Sequence, residues 1–486
     1  MSTTETIERA VAAPRGRSGG LSMDGVWAIV AVALPAITTL MSRLTAIDLA
    51  YQVRAGNLMI DSHQMLRTDV FTFTAFGRPW LNQQWAAQVL LAIPWRLGGW
   101  NAVAFVWAIM VAAIAYFLYR ATRGADASPR TAALLTLGGF LVGLEIFGMR
   151  PQLFGVLLFA ATQWIVVTRA THPARLWLVP ALMVLWVNAH GSFPLALVVL
   201  GLAWLEDLKP RPELARRIAW VAAATAGVSL LNPYGPRVWR YVIDLARNPV
   251  VAQRVGEWQP PTIHSQPGLF FFLSVLGVLV FVARYRGSVP WLTLVRVALF
   301  AAVALMAIRG VVWWALVAPV VVASTMAQSD RMHRVDRSPL NLGIVVALVA
   351  LALIALPFRR GVNQVTGAPD VVNIAPQRLV EAAESATPEG SRWFASQIDA
   401  SWVEFSAPSH PVVVDSRIEI FPERIWQDYF AVSLGTEGWQ STLDEWRIEA
   451  LILHPDQAEG LLEVVDGDAG WRLVFRDHEG SVYVRS

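Results

Sequence analysis

The chain contains no cysteine, one lysine (Lys209) and few charged residues of either sign. The absence of cysteine excludes disulfides, thiol chemistry and cysteine metal sites. Only 15% of the 486 residues are charged, whereas a soluble chain carries about 25%. Apolar sequence is abundant instead: 55% of the residues are hydrophobic, and the mean hydropathy is +0.47. The composition predicts a polytopic α-helical membrane protein. The net charge of +3 is explained by arginines in loops and does not indicate a nucleic-acid partner.

We predict about eleven transmembrane helices within residues 24–357, preceded by a cytoplasmic tail of residues 1–23. Arginines cluster in alternate connections, which places those connections in the cytoplasm and the C-terminus outside. Segment 83–98 is too short and too polar at its start to span, so we expect it to lie on the outer surface as an amphipathic helix. The predicted spans are 24–42, 101–119, 131–148, 152–168, 176–192, 194–207, 217–231, 268–283, 290–308, 311–327 and 340–357.

The remaining segments are predicted to lie outside the membrane. Residues 44–100 form a first outer loop and residues 232–267 a second outer loop. A polar linker, 358–375, leads to a small extracytoplasmic α/β domain, 376–486, which we expect to pack on the first loop or to bind an acceptor glycan. The patterns predict strands at 411–415 and 450–454, helices at 425–434 and 439–446, and a hairpin of 471–475 with 481–485.

Unusual polar residues collect at the helix ends and loops of the predicted outer face. Arg309 is the sharpest example, because it stands between two apolar spans and is costly there unless it meets water or an anion. Arginine can hold a phosphate through two hydrogen bonds, which makes a phosphate group the expected anion. The candidate site residues are Asp48, Arg54, His63, Asp69, Trp85, Arg150, Asn188, His190, Tyr234, Arg237, Glu257 and Arg309.

Three segments of the first loop carry a family resemblance. Asp48-Leu-Ala-Tyr-Gln-Val-Arg-Ala-Gly56, Arg67-Thr-Asp-Val-Phe-Thr-Phe-Thr74 and Gly77-Arg-Pro-Trp-Leu-Asn-Gln-Gln-Trp85 resemble the first outer loop of GT-C membrane glycosyltransferases. That superfamily includes protein O-mannosyltransferases, the lipid A aminoarabinose transferase and the catalytic subunit of oligosaccharyltransferase. The chain also resembles bacterial members that carry the Asn-x-His-Gly-Ser segment, here 188–192, and the Leu-Asn-Pro-Tyr-Gly segment, here 231–235.

The resemblance implies an enzyme of the bacterial plasma membrane that moves a sugar from a polyprenyl-phosphate carrier to an extracytoplasmic acceptor. Asp48 would be the general base of an inverting displacement, with Asp69 as a second catalytic carboxylate, and Arg309 and Arg150 would bind the donor phosphate. The other candidates would bind substrate. Oligosaccharyltransferases add a divalent metal, but the simpler expectation here is a mode without metal or other cofactor. The sugar and the acceptor stay open.

Each signal has a structural alternative. Asp48 could cap a helix, Asp69 could be a turn residue, and His190 could belong to a cap network. The pair Asp415 and Arg417 at a predicted strand end is expected to be a structural ion pair. A non-catalytic membrane scaffold of the same fold is the main alternative function. A transporter is disfavoured, because the predicted span centres are almost free of charge.

Overall fold

The structure, a computed structural model, describes residues 21–247, 256–285, 289–326 and 338–486. Most of the predicted cytoplasmic tail therefore lies outside the described residues, as do part of the second loop and the arginines 286, 331, 334 and 337.

Apolar helices with local start signals make up most of the chain up to residue 354. Ser22, Ser128, Ser265 and Ser338 precede helices and accept a hydrogen bond from a first-turn backbone N–H, and many helices begin at proline, which suits the first helical position. The helices are α1 Met23–Met41, α2 Ala46–Ser62, α3 Trp85–Gly124, α4 Pro129–Gly143, α5 Pro151–Val167, α6 Leu178–Ala189, α7 Pro194–Asp207, α8 Pro212–Val228, α9 Arg237–Ala246, α10 Gln266–Arg284, α11 Trp291–Met306, α12 Val311–Met326 and α13 Pro339–Ile354.

Among the described residues, five helices are long and apolar enough to cross a membrane: Met23–Met41, Trp85–Gly124, Pro129–Ile146, Gln266–Arg284 and Ile308–Met326. Four more apolar helices are shorter, namely Pro151–Val167, Pro173–Ala189, Trp291–Met306 and Pro339–Ile354. The predicted spans 194–207 and 217–231 correspond to α7 and α8, which are 14 and 17 residues long. The chain is a helical membrane protein, and the number of eleven spans stays a prediction.

Helix α3 joins two segments that the sequence predicts as separate helices, 83–98 and 101–119. The backbone between them is not helical at Gly98 and Gly99, and Gly99 has φ 61° and ψ −154°. Residues with a side chain rarely adopt that conformation, so the glycine pair permits the bend. The prediction that segment 83–98 lies on the outer surface stays a prediction.

The C-terminal part is built on a four-stranded sheet of order β3-β4-β6-β5, in which β3 and β4 are parallel and the other pairs antiparallel. A two-residue pair, β1 with β2, also joins the start of the first loop to residues 372–373. The strands are β1 Leu44–Thr45, β2 Val372–Asn373, β3 Arg392–Ala395, β4 Ile448–Leu453, β5 Trp471–Arg476 and β6 Ser481–Arg485, and the helices are α14 Gln377–Ala386, α15 Gln397–Ser406, α16 Glu423–Ser433, α17 Trp439–Trp446 and α18 Pro455–Val465.

The predicted strand at 450–454, the hairpin and the helices at 425–434 and 439–446 are present as β4, β5 with β6, α16 and α17. The predicted strand at 411–415 is wrong, because Val412 makes only isolated bridges, to Thr72 and to Trp393. This segment thus lies between the first loop and strand β3. The boundaries of a separate C-terminal domain stay a prediction.

Helix α2 of the first loop packs on α15 of the C-terminal part. The backbone N–H of Tyr51 donates to the Ser401 hydroxyl across this contact, at 2.9 Å. One cluster of buried apolar side chains continues from the long helices through α2 into the C-terminal part, from Trp186 to Trp402. The three parts therefore share a core, and the site lies where they meet.

Candidate functional site

A cavity of about 390 Å³ lies where the first loop, the ends of several apolar helices and the C-terminal part converge. Five residues that the sequence predicts for the site line it: Asp48, Arg150, His190, Glu257 and Arg309. Four of them stand at or between the ends of helices, and Glu257 belongs to the short 3-10 turn Gly256–Trp258 of the second loop. Asp48 is in the first turn of α2, and Arg150 precedes Pro151, the first residue of α5.

Arg150 lies between the two acidic side chains of this group. Its Nη1 donates a hydrogen bond to Glu257 Oε1 and lies 3.8 Å from Asp48 Oδ2. The Arg150 side chain is only 17% exposed. The exposed part of Asp48, 39% of its side chain, faces the cavity that it lines. The guanidinium is therefore a shared counter-charge for both carboxylates.

Burial raises the pKa of Asp48 above its usual 3.8; Arg150 opposes the shift and the negative charge of Glu257 adds to it. For Glu257 burial acts in the same direction, but Arg150 and Arg309 outweigh it and lower the pKa of that carboxyl. The two carboxyls thus differ. Glu257 is held as a carboxylate, whereas Asp48 has the raised pKa of a group that can accept a proton.

Arg309 belongs to the short 3-10 turn Ile308–Gly310 between α11 and α12. Its Nη2 approaches Gln152 Oε1 at 3.4 Å, and Gln152 Nε2 in return donates to the Arg309 carbonyl at 3.2 Å. The guanidinium lies over the ring of Trp258, 4.8 Å from its centroid. In the part of the chain that the structure describes, no carboxylate comes within salt-bridge distance of Arg309. Its charge is available to an anion in the cavity.

His190 ends helix α6 and is fixed by Ser192. The backbone N–H of Ser192 donates to His190 Nδ1 at 3.2 Å, and the Ser192 hydroxyl lies 2.9 Å from the same nitrogen. Because Nδ1 accepts the N–H, the ring proton belongs on Nε2. Trp186 Nε1 donates to the Ser192 hydroxyl at 3.0 Å. The expected cap network exists, and it also holds His190 as a hydrogen-bond donor at the cavity wall.

Asp69 does not reach the cavity. Its side chain is fully buried, and it accepts from the Thr72 hydroxyl at 2.7 Å and from Arg417 Nη2 at 2.5 Å. Arg417 also donates to Asp415, through Nε at 2.9 Å. The structural ion pair expected between Asp415 and Arg417 is present, and Asp69 completes it. The structure thus gives Asp69 a place in a buried ionic network and not beside a reacting group.

Three predicted substrate-binding residues also lie away from the cavity. Arg54 donates through Nη2 to the Pro408 carbonyl at 3.2 Å, which ties α2 to the C-terminal part. His63 ends α2 in the left-handed conformation, with φ 54°, and is exposed. Arg237 is the exposed first residue of α9. None of the three lines the cavity.

Trp85, Asn188 and Tyr234 connect the first loop to the helices behind the cavity. Trp85 Nε1 donates to Asn188 Oδ1 at 2.9 Å, and Asn188 Nδ2 donates to the Leu231 carbonyl at 3.0 Å. The Tyr234 hydroxyl accepts from the backbone N–H of Asn82 at 2.9 Å. These residues do not line the cavity, so their geometry is that of a support for the loop.

Sequence reasoning missed several wall residues. Gln52 lies one helical turn after Asp48 on the same face of α2, a spacing that could have indicated it. Arg417 and Glu419 come from the C-terminal part, and Glu419 accepts from the Tyr241 hydroxyl at 3.3 Å. No local pattern predicts that these two residues reach a site formed by the first loop.

The residues present do not fit a divalent cation. Among the described residues, no three His, Asp or Glu side chains are grouped closely enough to hold a metal. The carboxylates of Asp48 and Glu257, which both line the cavity, flank the guanidinium of Arg150 instead. A cation between them would meet the positive charge already there.

The architecture is that of known membrane proteins. The apo form of Archaeoglobus fulgidus oligosaccharyltransferase matches with a TM-score of 0.56 and 15% identity over 95% of this chain and 74% of that chain. The same organism's oligosaccharyltransferase AglB, in complex with an inhibitory peptide and a dolichol-phosphate, matches with a TM-score of 0.54 and 14% identity over 94% and 74%. ArnT from Cupriavidus metallidurans in the apo state gives a TM-score of 0.42 and 13% identity over 94% and 97%.

This likeness defines the fold of the chain as GT-C-like, as the first-loop segments predicted. At these identities the likeness concerns the fold alone. No family model matches the sequence, and no curated protein matches it.

Proposed function

We propose that the chain is a membrane glycosyltransferase that moves a sugar from a polyprenyl-phosphate carrier to an extracytoplasmic acceptor. The observation that carries this proposal is one cavity that holds a carboxyl with a raised pKa, Asp48, and an arginine without a carboxylate partner among the described residues, Arg309. Transfer from a phosphate carrier needs both groups: a base for the acceptor hydroxyl and a cation for the departing phosphate.

Asp48 acts as the general base. The acceptor hydroxyl gives its proton to the Asp48 carboxylate while its oxygen forms a bond to the anomeric carbon of the donor sugar. The bond from that carbon to the phosphate oxygen breaks on the opposite side, and its electron pair stays on the phosphate. The configuration at the anomeric carbon is therefore inverted. Burial raises the pKa of Asp48, which makes its carboxylate a stronger base than a solvated aspartate.

Arg309 binds the phosphate that leaves. Its guanidinium contacts Trp258 and Gln152 and has further N–H groups that can donate to a ligand. His190 adds a donor, Nε2–H, at the same wall. Phosphate is a good leaving group without protonation, so a fixed positive charge and neutral donors are enough.

The role of Arg150 in this proposal differs from the predicted one, which is binding of the donor phosphate. Because Glu257 already neutralises it, we propose that Arg150 orients Asp48 and keeps that carboxyl ionised at neutral pH, with at most a secondary contact to the phosphate. Asp69 is a positioning residue, which fixes Arg417 at the cavity wall.

The neighbour AglB supports the class of donor, since its structure was solved with a dolichol-phosphate. In this proposal the cavity faces the outside of a bacterial plasma membrane, with the N-terminus in the cytoplasm and the C-terminal part outside.

The test uses membranes of a strain that lacks the gene. Polyprenyl-phosphate-linked sugars and envelope glycans are profiled by mass spectrometry after complementation with wild type, Asp48→Asn or Asp61→Asn. Asp61 is the matched control, because it lies on the same helix, is 67% exposed and pairs with Arg96. We expect one lipid-linked sugar to accumulate and one envelope glycan to lose a residue in the deletion strain.

Wild type and Asp61→Asn should restore both profiles, and Asp48→Asn should restore neither. Full restoration by Asp48→Asn would remove Asp48 as the base. No change in any lipid-linked sugar on deletion would instead favour a non-catalytic scaffold of the same fold.

A further inference from the structure

A second cavity, of about 700 Å³, lies at the far end of a helix that begins at the candidate site. Its wall comes from the 3-10 turn Pro173–Trp177, which follows α5, and from the first turns of α8. Arg150 of the candidate site stands at the start of α5, and Arg169 of the second cavity stands two residues beyond the end of that helix. The 17 residues of α5 span roughly 25 Å. The second cavity therefore lies on the opposite side of the protein, which the arginine pattern predicts to be cytoplasmic.

Four arginines line the second cavity, namely Arg169, Arg211, Arg216 and Arg217. Arg169 Nε and Arg211 Nε share one carboxylate, that of the fully buried Asp207, at 2.6 and 3.1 Å. A second carboxylate, that of Glu206, lies 2.9 Å from Arg169 and 2.6 Å from Arg296. At this end of the cavity, three guanidinium groups therefore meet only two carboxylates.

The other end of the cavity adds a further positive charge. Arg216 pairs with Glu213, which also lines the wall, at 2.6 Å. Arg217 is exposed, and among the described residues no carboxylate comes within salt-bridge distance of it. Five arginines thus meet three carboxylates around this cavity, which leaves an excess of two positive charges. That excess favours an anionic ligand.

The wall also has an aromatic part that places it at the membrane surface. Trp177 and Trp220 line the cavity and are 52% and 66% exposed, and tryptophan is enriched where a membrane meets water. Helix α7, which ends at Asp207, has 14 residues and a length of about 21 Å, short of the roughly 30 Å of a bilayer core. Charged side chains at the end of so short a helix lie at the depth of the lipid head groups. The anion nearest to this wall is therefore a lipid phosphate.

We propose that the second cavity binds the head group of an anionic phospholipid, in the leaflet opposite the candidate site. Arg217 holds the phosphate through two parallel hydrogen bonds, and Trp177 and Trp220 pack against the glycerol and the first methylenes. A zwitterionic lipid also presents a phosphate, but its ammonium group meets the excess positive charge of the wall. The site is independent of the proposed transferase activity, since none of its residues lines the candidate cavity.

The test uses the full-length protein, purified in detergent and titrated with dioleoyl phosphatidylglycerol or dioleoyl phosphatidylcholine. Bound lipids are counted by native mass spectrometry. The variants are Arg217→Gln and Arg217→Glu, which should fold because Arg217 is exposed; size-exclusion chromatography checks this. The matched control is Arg130→Gln. Arg130 is also exposed and lies 5.9 Å from the ring centroid of Trp27, in another connection predicted to be cytoplasmic and outside this cavity.

We expect wild type and the control to bind phosphatidylglycerol more tightly than phosphatidylcholine. Arg217→Gln should weaken binding of the first phosphatidylglycerol roughly five-fold, and Arg217→Glu should weaken it further, with phosphatidylcholine binding unchanged in both. Equal phosphatidylglycerol affinity in wild type and both variants would overturn the site, as would equal binding of the two lipids by wild type. A final arm adds excess inorganic phosphate. Retention of phosphatidylglycerol supports a head-group site, whereas its release would assign the cavity to a free anion and overturn the lipid assignment.

Discussion

Replacing Arg417 with methionine should destabilise the protein strongly. The Arg417 side chain is 2% exposed and contacts Asp69 and Asp415, whose side chains are fully buried. Methionine would leave two buried carboxylates without a counter-charge. Removal of one partner from a buried ion pair costs about 3–5 kcal/mol, and here two anions lose the same partner.

The loss should be mainly electrostatic. The Arg417 guanidinium lies 4.8 Å from the centroid of the Phe71 ring and 4.7 Å from that of Trp80, and the methionine side chain would keep much of the apolar contact with these rings. A triple variant that also carries Asp69→Asn and Asp415→Asn should therefore recover part of the stability, because it removes the unpaired charges.

The assay is thermal unfolding of the purified protein in detergent, followed by tryptophan fluorescence. Arg424→Met is the matched control, since Arg424 is 77% exposed and pairs with Asp428 at 3.5 Å. That exposed pair should contribute less than about 1 kcal/mol. We expect Arg417→Met to lower the midpoint by roughly 3 °C or more, because about 1 kcal/mol shifts the midpoint of a chain of this length by about 1 °C. A midpoint within about 1 °C of that of the control, or no recovery in the triple variant, would refute the reasoning.

Three other changes test the site and the packing around it. Arg309→Gln should lower the transfer rate by roughly 10²–10³-fold in an assay with a lipid-linked sugar, whereas Arg237→Gln, at an exposed position outside the cavity, should leave the rate unchanged. The acid limb of the pH–rate profile should lie above pH 3.8, because Asp48 must be ionised for catalysis and its pKa is raised from that value. Glu257→Gln should move this limb to lower pH, since the negative charge of Glu257 contributes to the raised pKa of Asp48. Gly56→Ala should reduce the yield of monodisperse protein in size-exclusion chromatography, because the new Cβ would lie 2.1 Å from a backbone carbonyl oxygen of α3; a normal yield would contradict the close packing of α2 on α3.

Much of the architecture follows from patterns that are local in the chain. Helix 439–446 and the hairpin at 471–485 are where the spacing of apolar residues predicts them, since each forms from contacts between near neighbours in the sequence. The prediction of a strand at 411–415 is wrong because a short buried run can be a strand or a covered connection. Val412 makes isolated bridges to Thr72 and to Trp393, and only the packing of the first loop on the C-terminal part decides which of the two forms.

The candidate site likewise contains residues that the sequence predicts and residues that only the packing brings to it. Arg150, His190 and Arg309 stand out in the sequence, because a polar residue at the end of an apolar helix is costly unless it has a role. Asp48 and Glu257 stand out as acidic residues of the two predicted outer loops. The structure brings all five to one cavity.

The sequence by itself determined a helical membrane protein, the positions of its apolar helices and the polar residues at their ends, because hydropathy and helix signals act over a few neighbouring residues. Only the tertiary structure decided that Asp69 belongs to a buried network and not to the cavity, since its partner Arg417 is 348 residues away along the chain. The same long-range packing brings Arg417 of the C-terminal part to the cavity that Asp48 of the first loop lines. Pairings at such separation depend on how loops close and surfaces fit, and no local pattern encodes them.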